Sequence, residues 1–305
     1  MSGDGIGSAE AVLRAAAGAR LRTGFPLAPL TSFRLGGPAA LYLEAESMDD
    51  LRAVADAVRT GRIPFLVIGK GSNILVADEG FPGLVLRLGR SFRWAARDGE
   101  RLSAGGAMPL PALAGVALTH GLAGLEFGVA IPASLGGSVR MNAGAHGHSL
   151  DEVVDRVEVY DLDRVRSVSA GESGFRYRGS GFAADSVVLG ATLLLRPGDP
   201  REIRALMDEA REWRRATQPL AEPNCGSVFK NPPGDHAARL IEDAGGKELA
   251  VGGARVSEKH ANFIVAGPGS TAANVRELIS VIQDRVRERF EVELEPEVRF
   301  VGSEW

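Results

Sequence analysis

The sequence predicts a mixed α/β protein of more than one domain. Three observations lead there. Short β-branched apolar runs alternate with helical periodicity over the first ninety residues, a glycine-rich loop follows directly on one of those runs, and 305 residues are more than one typical core holds. Residues 9–17 are alanine-rich and predict a helix that stops at Gly18. Residues 30–38 predict a short strand ending in a glycine turn. In 49–59, Leu51, Val54, Ala55 and Val58 recur at helical spacing, and Gly61 follows as a stop. The run 65–68 reads as a buried strand leading into Gly69, and 84–88 as another.

A second unit opens with a strand at 101–104 and a helix over 109–120, with Pro109 near its first turn and Gly121 at its end. Strands are expected near 153–160, 165–169 and 186–195. After a break at 197–200, residues 201–217 form a charged amphipathic helix through Ile203, Leu206, Met207, Ala210 and Trp213. A helix at 236–244 capped by Gly245 and Gly246, a strand at 261–266, a long helix opened by Thr271 and a final strand over 291–301 complete the reading. The expected division is 1–90, 91–200 and 201–290, with 291–305 returning to the first segment.

Composition excludes several classes. Hydrophobic residues make up 45% and charged residues 24%, and the net charge of −4 gives no global attraction to nucleic acid or anionic membrane. Cys225 is the single cysteine, so no intrachain disulfide forms, which fits a reducing compartment. Residues 1–7 lack a secretory pattern, and no apolar run approaches the roughly 20 residues of a membrane span. The expectation is a cytoplasmic protein. The five histidines show no metal-ligand spacing apart from His146 and His148 in a glycine loop without a nearby cysteine, so no metal is assigned.

Residues 128–147 are the most informative segment. Five of the twenty are glycine and six more are alanine or serine, so the stretch either lies against a large ligand or is a flexible linker. Ile131, Pro132, Leu135, Val139 and Met141 give it packing groups and favour the ligand. The loop Gly69, Lys70, Gly71, Ser72 and Asn73 follows a strand and offers backbone amides to a phosphate, yet has neither Walker spacing nor a dinucleotide fingerprint. Together the two segments suggest two glycine-rich walls around a phosphate-bearing ligand. Ser227 reads as a nucleophile, a proton donor or a turn hydroxyl, and no nucleophile elbow surrounds it. Arg178 reads as a solvated charge or as a fork for carboxylate or phosphate. Glu295 and Glu297 lie in the expected final strand, where glutamates are commonly exposed.

Seven segments occur in one order: 31–37 (TSFRLGG), 68–75 (IGKGSNIL), 131–144 (IPASLGGSVRMNAG), 177–180 (YRGS), 225–232 (CGSVFKNP), 256–263 (VSEKHANF) and 294–299 (LEPEVR). Together they closely resemble the UDP-N-acetylenolpyruvoylglucosamine reductase family, bacterial flavoenzymes of peptidoglycan precursor synthesis, from about residue 22 onward. The resemblance implies a vanillyl-alcohol-oxidase-type FAD-binding fold of two α/β subdomains, followed by an α+β substrate domain. It implies non-covalent FAD, NADPH as hydride donor, and the enolpyruvyl ether of UDP-N-acetylglucosamine as substrate of a monomeric enzyme. By the same resemblance Arg178 holds the substrate carboxylate, Ser227 donates the quenching proton and Glu297 assists. Gly69, Lys70, Gly71, Ser72, Asn73, Ile131, Pro132, Ser134, Gly136, Gly137, Asn142, Ala143 and Gly144 would hold FAD. Tyr177, Arg215, Lys230 and Asn231 would contact substrate, with Arg214 the alternative to Arg215 at a phosphate.

Two departures matter. Between Ser180 and Asn224 there is no tyrosine, which places the chain in a shorter subgroup without the lid segment that closes over substrate in other members. Ala133 stands where many members have glycine and fits there unstrained only at negative φ. Two readings compete with the reductase. An oxidase of alcohols or sugars on the same flavin fold needs no match at Ser227 or Glu297, and a non-catalytic nucleotide-binding module has no reason to keep Arg178, Ser227 and Glu297 together.

Overall fold

A computed structural model describes residues 3–302. The chain forms two compact units: one holds residues up to Thr23, Ala40–Lys70 and Gly83–Arg214, the other Gly24–Ala39, Gly71–Pro82 and the residues from Arg215 on. Among the described residues no helix is long and apolar enough to cross a membrane.

In the first unit, helix Gly3–Ala17 stops at Gly18, whose φ of +56° ends it. Helix Met48–Gly61 starts on a capping box in which the Ser47 hydroxyl and the Asp50 carboxylate each accept the other's backbone N–H. Strands Phe65–Ile68 and Phe81–Leu88 run parallel, in a sheet of order Arg22–Pro26, Pro38–Ala45, Phe81–Leu88, Phe65–Ile68. The helices and sheet share a core of Leu13, Leu41, Leu43, Leu51, Val54, Leu84 and Leu86.

The rest of the first unit is a five-stranded antiparallel sheet in the order Val165–Ser169, Val154–Tyr160, Val187–Leu194, Arg101–Gly105, Ala95–Asp98. Helices Leu110–Thr119 and Pro200–Thr217 contribute Leu110, Leu113, Ile203 and Met207 to its core. The glycine-rich segment is neither a linker nor extended. It forms a 3-10 turn at Glu126–Ala130, helix Leu135–Arg140, and strands Gly144–Ala145 and His148–Ser149, with Leu135 and Val139 fully buried.

The second unit is built on helices Ala237–Asp243 and Ala272–Phe290 and a three-stranded antiparallel sheet of Ala250–Val251, Ala254–Val256 and Ile264–Ala266. Thr271 opens the long helix as expected, in a capping box with Asn274, and the Asp78 carboxylate accepts from the Ala272 and Ala273 amides at 2.8 and 3.0 Å.

Two expectations fail here. The expected strand over 30–38 is absent, only Pro38 opening the next strand: Phe33 and Leu35 alternate correctly, but Arg34 takes a φ of +58°, and the Thr31 hydroxyl closes the loop by bonding the Ala28 and Leu35 carbonyls. The final strand is shorter than expected, Arg299–Val301, and runs parallel to Ile74–Val76. Glu295 and Glu297 lie before it, beside a single antiparallel bridge between Pro296 and Phe229.

Candidate functional site

The first unit contains a pocket of about 260 Å³. Its floor is apolar, from Val67, Ile68, Leu88, Ala107 and Val188, and glycines 69, 89, 106, 136 and 137 bring backbone to its surface. Lys70, Arg87, Arg90, Arg93 and Arg140 face it against one lining acid, Glu44. A lining of that kind takes an anionic, partly aromatic ligand.

The two glycine walls meet. A Cβ on Gly69 would stand 2.3 Å from the Ser134 hydroxyl, so the loop after the strand and the start of the short helix are in contact through a missing side chain. Ser134 caps that helix by accepting from the Gly137 amide at 3.4 Å. Gly137 is exposed on the pocket side, and apart from that hydroxyl its surroundings are open. Gly136 is instead pressed on the Val188 and Gly106 carbonyls, and Gly144 on the His148 carbonyl. Much of the glycine content of 128–147 therefore serves approach of backbone to backbone. Ala133 does not take a positive φ, so it stands without strain.

Of the residues expected to hold a cofactor, Gly69, Lys70, Ser134, Gly136 and Gly137 line this pocket. Gly71, Ser72 and Asn73 belong to the second unit. Gly71 has a φ of +61°, and a Cβ there would strike the Leu30 carbonyl at 2.1 Å, so the tight turn demands glycine for the protein's own packing. Ile131, Pro132, Asn142, Ala143 and Gly144 are not in the lining. Asn142 acts within the protein: it accepts from the Asp151 amide at 3.0 Å and donates to the Arg176 carbonyl at 3.3 Å. That bond ties the glycine-rich segment to the turn carrying Arg178.

The sequence reading missed Arg87, Arg90, Arg93 and Arg140. The first three recur every third residue around Gly89, and Glu46 holds their turn by accepting from the Arg90 and Ser91 amides at 3.0 and 2.8 Å. Arg140 donates to the Ala183 carbonyl at 2.9 Å and to the Ser186 carbonyl.

Tyr177 and Arg178 form the tip of a tight turn closed by two bonds between Arg176 and Gly179, each 3.0 Å. Arg178 occupies its third position with a φ of +55°, where glycine is the usual residue. Its guanidinium lies 4.9 Å from the centre of the Tyr177 ring, and Tyr177 is 53% exposed. Of the arginine pair at the end of helix Pro200–Thr217, Arg214 is the one whose guanidinium burial disfavours, while Arg215 is exposed and its carbonyl accepts from Lys259.

In the second unit the segment 224–231 is fixed residue by residue. The Asn224 side chain accepts from the Gly226 amide at 2.9 Å, and Gly226 takes a φ of +83° that its lack of a Cβ permits. Cys225, Val228 and Phe229 are buried, which leaves Ser227 half-buried between anchors. The Glu297 amide donates to the Val228 carbonyl at 2.7 Å and the Lys230 amide to the Glu295 carbonyl at 2.9 Å, so the Ser227 and Glu297 segments lie side by side. Burial, together with the nearby Glu297 carboxylate, pushes the Cys225 thiol well up and keeps it neutral. Lys230 pairs with Glu295 at 2.5 Å, and the Asn231 carboxamide accepts from the Ala237 amide at 3.1 Å at the start of a helix. Asn73 donates to the Glu297 carbonyl at 3.1 Å. Among the described residues no cluster of three metal-ligating side chains occurs.

Residues 39–164 match the FAD binding domain family model, and residues 218–301 match the model of the UDP-N-acetylenolpyruvoylglucosamine reductase C-terminal domain. The chain is 45% identical to the UDP-N-acetylenolpyruvoylglucosamine reductase of Heliobacterium modesticaldum, over 91% of this chain and 90% of that one. The crystal structure of the corresponding reductase from Thermus caldophilus superposes with a TM-score of 0.79 at 34% identity, covering 92% of this chain and 98% of the other. A variant of Phl p 4, a glucose oxidase, matches with a TM-score of 0.53 at 15% identity over 70% of this chain and 50% of its own, which is a likeness of fold.

Proposed function

The chain belongs to the UDP-N-acetylenolpyruvoylglucosamine reductase family, and from that premise we propose how its own residues carry the reaction. It is an FAD-dependent oxidoreductase of the vanillyl-alcohol-oxidase-type fold, acting in peptidoglycan precursor synthesis. NADPH is oxidised, and the enolpyruvyl double bond of the UDP-sugar gains a hydride at its terminal carbon and a proton at the carbon bearing the carboxylate.

The first-unit pocket fits FAD on its chemistry. Lys70 and the arginines oppose a diphosphate, Gly69 and Gly137 bring backbone to the pocket surface beside Ser134, and the floor is apolar. When bound, FAD supplies a two-electron relay, so NADPH and substrate are served in turn. Arg178 receives the substrate carboxylate and stabilises the charge that grows on the adjacent carbon. Its left-handed backbone costs of order 1–3 kcal/mol, a strain typical of residues held for function. Ser227 donates the proton from its hydroxyl, a weak acid in water that serves here through placement against a very basic carbon. Glu297 assists as a protonated acid or hydrogen-bond partner, and Tyr177, Lys230, Asn231 and one of Arg214 and Arg215 contact the sugar nucleotide. The observation that carries the reading is the 2.7 Å bond from the Glu297 amide to the Val228 carbonyl, which sets an acid and a hydroxyl on neighbouring segments. The reading also takes the enzyme to be a cytoplasmic monomer, which light scattering of the purified protein tests for the monomer.

An anaerobic two-step titration is the test. NADPH bleaches the flavin and the enolpyruvyl sugar nucleotide restores its colour. Ser227→Ala leaves the first step unchanged and slows the second about 10²- to 10⁴-fold. Equal damage to both steps would remove Ser227 from the role of proton donor.

A further inference from the structure

One conspicuous motif, residues 256–263, has no part in the mechanism above, yet one of its residues makes three hydrogen bonds to the serine segment. Asn262 is 4% exposed. Its Oδ1 accepts from the Phe229 amide at 2.9 Å and its Nδ2 donates to the Phe229 carbonyl at 2.8 Å. Its own carbonyl accepts from the Val228 amide at 2.9 Å. Three bonds thus grip the two residues that follow Ser227. The amide orientation is fixed by chemistry, since a peptide N–H can only donate and a peptide carbonyl only accept. A single side chain therefore pairs with a backbone residue as a neighbouring strand would, without the strand.

Asn262 is held in turn. Its amide donates to His260 Nδ1 at 3.2 Å, and the loop is closed by bonds from the Phe263 amide to the His260 carbonyl at 3.0 Å and from the Ser257 amide to the Phe263 carbonyl at 2.8 Å. On the far side of the serine segment, the Val228 carbonyl takes the Glu297 amide and the Lys230 amide meets the Glu295 carbonyl. The segment is thus clamped between the Asn262 loop and the Glu297 segment. Ordinary burial does not require this much: Val228 and Phe229 are already 1% exposed and would anchor the chain by packing alone. Packing restrains position loosely along the chain, whereas paired hydrogen bonds fix rotation of the peptide, and rotation sets where the preceding hydroxyl points.

We propose that Asn262 is a positioning residue for proton delivery, acting through the Val228–Phe229 backbone to aim the Ser227 hydroxyl. The proposal rests on the reading of Ser227 as the proton donor. Asn262 does not touch substrate in this account. Its loss displaces the hydroxyl, so it slows protonation of the substrate carbon and leaves the NADPH half of the cycle alone. A misplacement of about 1 Å costs about 10²-fold in such a step.

The test uses the flavin-loaded enzyme with Asn262→Asp, Asn262→Ala, Ser227→Ala and the two doubles with Ser227→Ala. Asn262→Asp keeps the acceptor for the Phe229 amide and loses the donor to its carbonyl. The expected result is flavin reduction by NADPH unchanged, reoxidation by the enolpyruvyl sugar nucleotide slowed about 10- to 100-fold, and a larger solvent deuterium isotope effect on reoxidation. In the Ser227→Ala background the Asn262 substitutions should add almost nothing. As a readout apart from turnover, the Cys225 thiol, buried two residues before Ser227, should react faster with a disulfide reagent in both Asn262 variants. Equal loss in both half-reactions, full additivity with Ser227→Ala, or failure of both Asn262 variants to fold with bound flavin would each make Asn262 a structural residue and overturn the proposal. If Ser227→Ala itself leaves reoxidation intact, it is the assignment of Ser227 that falls, a result distinct from the others.

Discussion

Asp50 shows how one side chain can be read on two levels. It caps helix Met48–Gly61, accepts from the Glu46 and Ser47 amides at 2.8 and 3.1 Å, and takes both arms of the Arg20 guanidinium at 2.8 and 2.6 Å. The sequence showed the helix by the spacing of Leu51, Val54, Ala55 and Val58, and the structure adds the capping box of Ser47 and Asp50. The sequence did not offer Arg20, thirty residues away. The Arg20 bond is the largest influence on the carboxyl and lowers it to about 2. The folded state therefore holds the ionised form more tightly than the unfolded chain does. That stability is present above the unfolded value near 4 and is lost as pH falls toward 2. Because Arg20 is 46% exposed, the contribution is on the order of 1–2 kcal/mol. Urea midpoints at pH 5 and pH 2.5 should therefore fall further for the native chain than for Asp50→Asn. Equal falls would show that other carboxylates account for the acid limb.

Among the elements, legibility followed the strength of local signals. Helices with an apolar stripe were read well: 201–217 was expected where Pro200–Thr217 forms, and Thr271 opens helix Ala272–Phe290 as expected. Strand Pro38–Ala45 went unread because Ala, Leu and Glu dominate it and favour helix, and its pairing within the sheet overrides that preference. The glycine walls were legible because glycine is rare in such density. The arginines facing the same pocket were not, since charge in a sequence reads as solvated surface, and the turn carrying Arg90 is fixed by a glutamate more than forty residues earlier. Contact between the walls gives a prediction of its own. Gly69 does not need a positive φ, so Gly69→Ala costs only the collision of its Cβ with Ser134 Oγ. Pushing the two walls apart should weaken FAD binding about 10-fold, or about 1.4 kcal/mol. Adding Ser134→Ala removes the colliding oxygen and should restore most of the affinity, because the Ser134 Cβ stands at an ordinary 3.5 Å. Flavin fluorescence titration of the single and double variants measures both. A double variant weaker than Gly69→Ala alone would show that Ser134 serves FAD directly rather than through spacing.

At the scale of the whole chain, the sequence suggests segments 1–90, 91–200 and 201–290 with only 291–305 returning to the first, while the two compact units are interleaved: residues 24–39 and 71–82 belong with the residues from 215 on. Hydrophobic periodicity is local and cannot reveal such threading, because each short piece looks like part of its sequence neighbours. The core of the second unit records it. Phe33 and Leu75, 1% and 0% exposed, pack with Phe229, Ile241, Leu278 and Ile282, and Arg299–Val301 takes its strand partner from Ile74–Val76. A fragment of residues 215–302 therefore lacks two large core side chains and one side of a strand. Losing a buried Phe and a buried Leu costs roughly 3–5 and 2–5 kcal/mol, against a total of about 5–15 kcal/mol for a domain. The unpaired edge at Arg299–Val301 adds to the loss. The fragment should show little amide dispersion in its proton–nitrogen spectrum and a Cys225 thiol that reacts at the rate of an unfolded peptide. Adding residues 71–82 as a separate peptide should shift it toward order by restoring Leu75, the strand partner and the Asp78 cap of the long helix. A fragment that folds alone with a protected thiol would mean that the threaded segments decorate a core already complete without them.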